Sequence, residues 1–420
     1  MPLVYSAFVP HPPIVVPEIG RGEEAKCSQT LEAYREIARK LVQAQVETVL
    51  LVSPHATLLR KGVTILQGDE LFGDFAAFGV PKVKLFFPGH RLLTEALAAQ
   101  LPEAFLHPEK LDHGALVPLY FLQEAGWQGK LVEMSMPLND PELYGQKIAQ
   151  ILKGFSERIA LVASGDLSHR LKEEGPYGLH PSGPKLDQWI VNSLARDPSE
   201  IKRIPEKLAE EGGECGWRSL RLALAVQEGM PKIFSYEGPF GVGYLVAELY
   251  QSSLLPSWAR LCLETYLEEG STRKLTPPAG EEFQLRRACF VTLKKGGELR
   301  GCIGTTEPWR DNLAQEIEHN AISAGTQDPR FWPVEPDEMD SITISVDVLG
   351  EMEKIGSLNE LDPWRYGVVV RGRGRTGLLL PHLEGINTAE EQVNIAKQKA
   401  GLRLEEPVEM RRFEVMRYFE

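Results

Sequence analysis

Short, mostly apolar runs alternate along the chain with longer stretches in which apolar residues recur every three or four positions. Leu3–Val9 and residues 46–52, 83–87, 130–136, 159–163 and 243–250 belong to the first kind and predict strands. Residues 30–45, 90–101, 113–123, 140–153, 186–195 and 218–227 carry helical spacing. Strand and helix in turn over some 250 residues predict an α/β domain, a mostly parallel sheet with helices on both faces.

The pattern changes near residues 252–256. A helix over 258–269 is followed by a polar, Pro-rich stretch at 271–281. Two strands, 288–294 and 299–303, flank Lys295-Gly296-Gly297-Glu298, a hairpin signal. A helix at 312–324, an alternating strand at Ile342–Leu349, a hairpin of 366–370 with 377–380 and a helix at 390–400 complete an α+β pattern. The expected domains are therefore 1–253 and 254–420. No internal repeat or low-complexity segment interrupts them.

Of 420 residues, 43% are hydrophobic and 25% charged, as in globular domains. The net charge of −13 leaves little positive surface for phosphates, which disfavours nucleic acid. No run is long enough to span a bilayer. Met1–Gly20 lacks a basic n-region and is broken by Pro10, Pro12 and Pro13, a poor signal peptide. The five scattered cysteines, Cys27, Cys215, Cys262, Cys289 and Cys302, fit reduced thiols in a cytoplasm better than a disulfide framework.

Candidate chemistry lies in the histidines. His11 follows the first apolar run in Pro10-His11-Pro12, and His55 follows another in Ser53-Pro54-His55. His169 closes Ser164-Gly165-Asp166-Leu167-Ser168-His169, and His113 opens a helix in Asp112-His113-Gly114. In an open α/β sheet the carboxyl ends of the strands form the ligand edge, so these imidazoles are expected to meet around one metal ion. Neutral imidazole suits Fe(II), Zn or Cu. His90, His107 and His180 read as loop or surface residues. Glu214 and Cys215 are alternatives for one further protein ligand. Adjacent side chains diverge, so only one of them is expected to face the metal. Cys215 lies near a helix start, which favours its thiolate.

Pro10-His11-Pro12-Pro13, Ser53-Pro54-His55, the Asp112–Leu119 stretch and Ser164–His169 together resemble the class III extradiol ring-cleavage dioxygenases, the LigB superfamily. The resemblance covers roughly the first 250 residues. It implies a metal-dependent oxidoreductase with non-haem Fe(II), Cu or Zn being alternatives, acting on an aromatic diol. His11 and His55 would be ligands and Glu214 the carboxylate, while His113, His169 and Asp166 would be the catalytic residues, the two histidines handling protons. Cys215-Gly216 and Asp166-Leu167-Ser168-His169 also resemble the Memo branch of the superfamily, where a cysteine replaces the carboxylate. That branch implies metal binding with a regulatory or scaffold role.

Residues from about 255 onward resemble the AMMECR family through Leu299-Arg300-Gly301-Cys302-Ile303-Gly304, Asp328-Pro329-Arg330-Phe331 and Gly377-Leu378-Leu379-Leu380-Pro381. The pairing of the two families resembles a microbial system that includes a radical S-adenosylmethionine protein, which implies such a partner. A homo-oligomer is compatible with this reading. Cys302 reads as a buried strand residue, with flanking glycines that allow close approach and with Arg300 nearby as a candidate anion holder. Arg371-Gly372-Arg373-Gly374-Arg375 reads as a solvated hairpin tip rather than an RNA patch.

Overall fold

The computed structural model describes residues 2–227, 229–383 and 385–420. It divides into two units, Met1–Gln251 and Ser252–Glu420.

The first unit is built on strands β1 (Leu3–Val9), β2 (Thr48–Ser53), β3 (Val63–Leu66), β4 (Glu70–Phe75), β5 (Val80–Pro88), β6 (Ala104–His107), β7 (Lys130–Ser135), β8 (Ile159–Ser164), β9 (Lys232–Glu237) and β10 (Tyr244–Gln251). Eight of them form one sheet in the order β6-β3-β7-β2-β8-β1-β10-β9, and β4 pairs with β5 as a separate hairpin. The central run β7-β2-β8-β1 is parallel, and antiparallel β10 and β9 close one side. Every residue of β1, β2 and β8 is buried, as strands covered on both faces require.

Alternate residues feed two cores. Leu50, Val52, Val132, Met134, Leu161 and Ala163 point to a core shared with helices Arg91–Gln100, Pro141–Leu152, Ser182–Arg196 and Trp217–Val226. Val49, Leu51, Leu131, Ala160 and Val162 point to the opposite core, closed by helices Ser28–Gln43 and His113–Glu124. The mostly parallel sheet between helical layers is the architecture the alternation predicts. The short strands β3, β4, β6 and β9 are additions to it.

The second unit contains β11 (Cys289–Lys295), β12 (Glu298–Gly304), β13 (Ile342–Leu349), β14 (Glu353–Ile355), β15 (Tyr366–Gly372), β16 (Arg375–Leu379) and β17 (Glu409–Phe419). They form an antiparallel sheet ordered β12-β11-β13-β17-β15-β16, with β14 on β17. Helices Leu254–Glu269 and Leu313–Thr326 bury Trp258, Cys262, Leu263, Ile317 and Ala321 against β11 and β13. Helix Ala389–Lys399 packs Val393 and Ala396 onto β15 and β16.

The candidate residues of this unit have local structural partners. A Cβ on Gly301 would stand 2.3 Å from the Ala324 carbonyl oxygen, so the close approach is to the unit's own helix. The Cys302 sulfur accepts the Thr292 hydroxyl at 3.2 Å, and burial pushes its thiol up. Arg300 grips Glu338 at 2.8 Å and the carbonyls of Trp332 and Pro333. Arg330 pairs with Asp328 at 2.6 Å. Arg371 and Arg373 pair with Glu307 and Glu406, and Arg375 bonds the Gly401 carbonyl. All five cysteines are free, and among the described residues no helix is long and apolar enough to cross a membrane.

Glu338 gives this unit an acid-sensitive joint. Bonds from Arg300, then Lys295, hold its carboxyl at about 2, below its ordinary value of 4.5. A depressed carboxyl stabilises above its unfolded value and loses that contribution as pH falls through its folded value. Glu338→Gln is expected to cost about 1 kcal/mol at pH 7. In thermal melts the gap to the parent chain should close between pH 4.5 and about 2. A gap that stays constant across that range would exclude the charge as its cause.

Candidate metal centre

Loops leaving three strand ends build the site. β1 passes into Pro10 and His11, β2 into Pro54 and His55, and β8 into the loop that ends at His169. Val9 lies beside Ser164 and Val52 beside Ala163, so the exits are level. The Tyr34 hydroxyl holds the first loop through the Pro10 carbonyl. His113 is the first residue of its helix. The cap is Asp112, whose Oδ1 accepts the amides of Gly114 at 2.6 Å and Ala115 at 3.2 Å. The same oxygen accepts the Ser53 hydroxyl at 2.8 Å, which pins the helix start to the end of β2.

His11, His55 and His113 bring ring nitrogens within 4.8 Å of one another. His11 lies buried at the base, His55 is exposed, and their Nε2 atoms stand 3.0 Å apart. His113, to which the resemblance gives a proton-handling role, packs its ring 4.1 Å from that of His55 and brings a nitrogen into the same group.

The hydrogen bonds fix the tautomer of His11. The Ser164 hydroxyl donates to the Gly114 carbonyl at 2.6 Å and lies 2.9 Å from His11 Nδ1. A hydroxyl has one proton, so Nδ1 must be the donor in the second bond. His11 Nε2 is thereby left with its lone pair facing His55.

Cys215 completes the surroundings. Its sulfur lies 3.6 Å from His11 Nε2 and 3.8 Å from His169 Nε2. Asp166 ties these parts together: its carboxylate accepts the His11 amide at 2.8 Å, and its own amide donates to the Cys215 sulfur at 3.3 Å. Glu214 goes elsewhere. Its carboxylate accepts the Trp217 amide at 2.6 Å at the start of the next helix, and Arg218 stands 3.9 Å from its second oxygen. Neighbouring side chains diverge, and here sulfur faces the imidazoles while the carboxylate caps a helix.

Burial governs the protonation states. Desolvation holds His11 well below the ordinary imidazole value and lowers His55 as well. It brings His113 and His169 to about 4, with the neighbouring His55 adding to the effect. All four rings are neutral at pH 7 and offer lone pairs. Asp166 is pushed up to about 7 by burial. The thiolate expected at Cys215 is disfavoured by its surroundings in the protein. Burial first, then the nearby Asp166 carboxylate, raises this thiol well above its ordinary value. Its sulfur would lose a proton only in exchange for a cation.

Two loops meet here with backbone against backbone. A Cβ on Gly165 would lie 2.1 Å from the Gly216 Cα. Around this contact His169 N bonds Gly213 O at 3.0 Å, Ser168 Oγ bonds Gly212 O at 2.7 Å, and buried Asp187 holds the Ser168 amide at 2.8 Å. Sequence reasoning gave no role to Ser164, Asp112 or Asp187. Only Asp112 carried a signal, as an N-cap candidate ahead of an apolar helix. Phe78 and Tyr177 also escaped notice; their rings lie 5.4 Å from His113 and 5.2 Å from His169. His90, His107 and His180 are engaged by Glu157, Glu109 and the Ser182 amide, apart from the cluster.

An open, mostly parallel α/β sheet with converging imidazoles at its carboxyl edge is the class of domain seen here. Residues 5–247 match the family model described as the catalytic LigB subunit of aromatic ring-opening dioxygenase, and residues 256–418 match that of AMMECR1. A Clostridium acetobutylicum protein is 38% identical over 98% of both chains. A Thermotoga maritima protein is 51% identical over 38% of this chain and 94% of its own. The crystal structure of an uncharacterised Pyrococcus horikoshii protein is 31% identical over 39% of this chain and 88% of its own, with a TM-score of 0.36. The chain therefore belongs to the LigB family, its LigB domain followed by an AMMECR1 domain.

Gly165→Ala is expected to lower stability by about 2 kcal/mol, since a methyl group cannot enter this backbone contact without displacing a loop. Gly154→Ala, whose nearest neighbour would be 3.4 Å away, is the control and should melt like the parent. Equal melting of both variants in calorimetry would contradict the packing described.

Proposed function

We propose that the LigB domain is a metal-dependent oxidoreductase of the dioxygenase type, with His11, His55 and His113 holding Fe(II) and Cys215 facing the same centre. The observation that carries this reading is the convergence of three imidazole nitrogens within 4.8 Å. The residues fit such an ion. The rings are neutral, and His11 has its lone pair aimed inward because its opposite nitrogen, Nδ1, donates its N–H to Ser164. Bound Fe(II) supplies electrons toward dioxygen and a template for an aromatic diol.

The chain's own groups do the remaining work. Ser164 orients His11, and Asp112 fixes the start of the helix that presents His113. Asp166 holds the His11 backbone and the Cys215 sulfur in register. His169 is partly exposed and neutral, 3.8 Å from that sulfur, and is placed to take a proton from a bound diol or from the thiol.

A second reading is favoured by one observation: sulfur, not the Glu214 carboxylate, faces the imidazoles. A thiolate with histidines also suits copper. This fits a Memo-like metal-binding role without turnover, exercised with a radical S-adenosylmethionine partner.

Metal analysis after anaerobic loading with Fe(II), and separately with Cu, tests both. The expected result is one ion per LigB domain. His11→Ala should weaken binding about 100-fold or more and Ser164→Ala about 10-fold, while Glu214→Gln leaves it unchanged. Cys215→Ser should remove a sulfur-to-metal absorption band. Binding that survives a His11→Ala, His55→Ala double variant would falsify the site. Turnover of a catechol panel by the iron-loaded chain separates the first reading from the second.

A further inference from the structure

A second group of acids lies one strand away from the imidazoles. Glu133 stands on β7 between residues of the apolar core, paired with Leu51 of β2, and is 2% exposed. Its carboxyl lies against that of Asp112, which caps the His113 helix. Asp112 commits its Oδ1 to Ser53, Gly114 and Ala115. Among the described residues no N–H or alcohol hydroxyl reaches the buried oxygens Asp112 Oδ2 and Glu133 Oε1. Burial first, then the Asp112 carboxylate, pushes the Glu133 carboxyl well above its ordinary value, so the pair is short of positive charge.

Glu133 and Asp112 border a cavity of about 20 Å³, with Thr57, Thr64, Glu109 and Ser135 adding oxygen atoms to its wall. The threonine protons are already committed. Thr64 donates to the Thr57 carbonyl at 2.8 Å and Thr57 to Glu109 at 3.1 Å, which leaves the hydroxyl lone pairs. Lys110 also borders the cavity, but its ammonium is turned to Asp74 at 3.3 Å and lies 5.3 Å from the Phe72 ring. A space of this size admits one ion or one water and excludes an organic molecule. One water can donate to both carboxyl oxygens, yet it leaves their charge uncompensated. A shared proton cancels one of the two negative charges, and a divalent cation answers both. Carboxylate and hydroxyl oxygens suit magnesium and calcium, whereas imidazole and thiol suit iron, copper and zinc.

We propose that Glu133 and Asp112 hold a hard divalent cation of the magnesium or calcium class, in a site separate from the imidazole centre, with exposed Glu109 at its mouth. The ion would tie β7 to the start of the His113 helix, because Asp112 serves the helix cap through Oδ1 and keeps Oδ2 for the cation.

The test is calorimetric titration of the full chain with calcium chloride, and separately with magnesium chloride, after treatment with a chelator and its removal. At least one of the two cations should bind saturably, one ion per chain, and raise the melting temperature. Glu133→Gln should weaken that binding about 10-fold or more and abolish the gain in melting temperature. Glu109→Gln should weaken it about 3-fold, and this variant decides the matter should Glu133→Gln fail to fold. His11→Ala should bind the cation like the parent, which separates this site from the imidazole centre. A parent chain that binds neither cation overturns the proposal and leaves a shared proton or a bridging water between the two acids. Affinity unchanged in both carboxylate variants, or lost in folded His11→Ala, overturns it as well.

Discussion

The Ser164 hydroxyl has one proton to give, and the Gly114 carbonyl takes it. That donation forces His11 to supply the proton of the next bond, and it joins the end of β8, the start of the His113 helix and the loop after β1 through one buried oxygen. The bond is available only because β1, β2 and β8 end level at one edge, which their parallel register ensures. The orientation of the deepest imidazole follows from backbone geometry and needs no ion to set it. Preorganisation of this kind keeps the energetic cost of ligand assembly small when a cation arrives.

Electrostatics reinforce the same arrangement. The imidazoles stay neutral because charging them in a desolvated cluster is unfavourable, and His55 further lowers the proton affinity of His11, His113 and His169. The thiol and the Asp166 carboxyl are pushed toward their neutral forms as well. A set of neutral nitrogen and sulfur donors of this kind is what the proposed metal ion would require.

Much of this was legible in the sequence. The two cores follow from alternation in β2, where Leu50 and Val52 face one helical layer and Val49 and Leu51 the other. The loops carrying His11, His55 and His169 were legible because each follows a short strand dominated by apolar residues. Strands β3 and β6 were not, being four residues each at the weakly patterned side of the sheet. Nor was β17, where Arg411, Arg412, Glu414 and Arg417 break up an eleven-residue strand that needs its partners to form. The choice between Glu214 and Cys215 was out of reach for a different reason. It turns on which side chain finds the free amide of Trp217, a contact that depends on where the loop sits.

Gly165 and Gly216 touch with no side chain between them, so the two loops have a single way to nest. Their nesting sets the phase of residues 212–216 against the imidazoles. Sliding that segment by one position would turn an oxygen donor inward and a sulfur donor outward. Which donor atom the cluster meets, soft or hard, is therefore encoded less by which acids or thiols the chain contains than by two missing methyl groups.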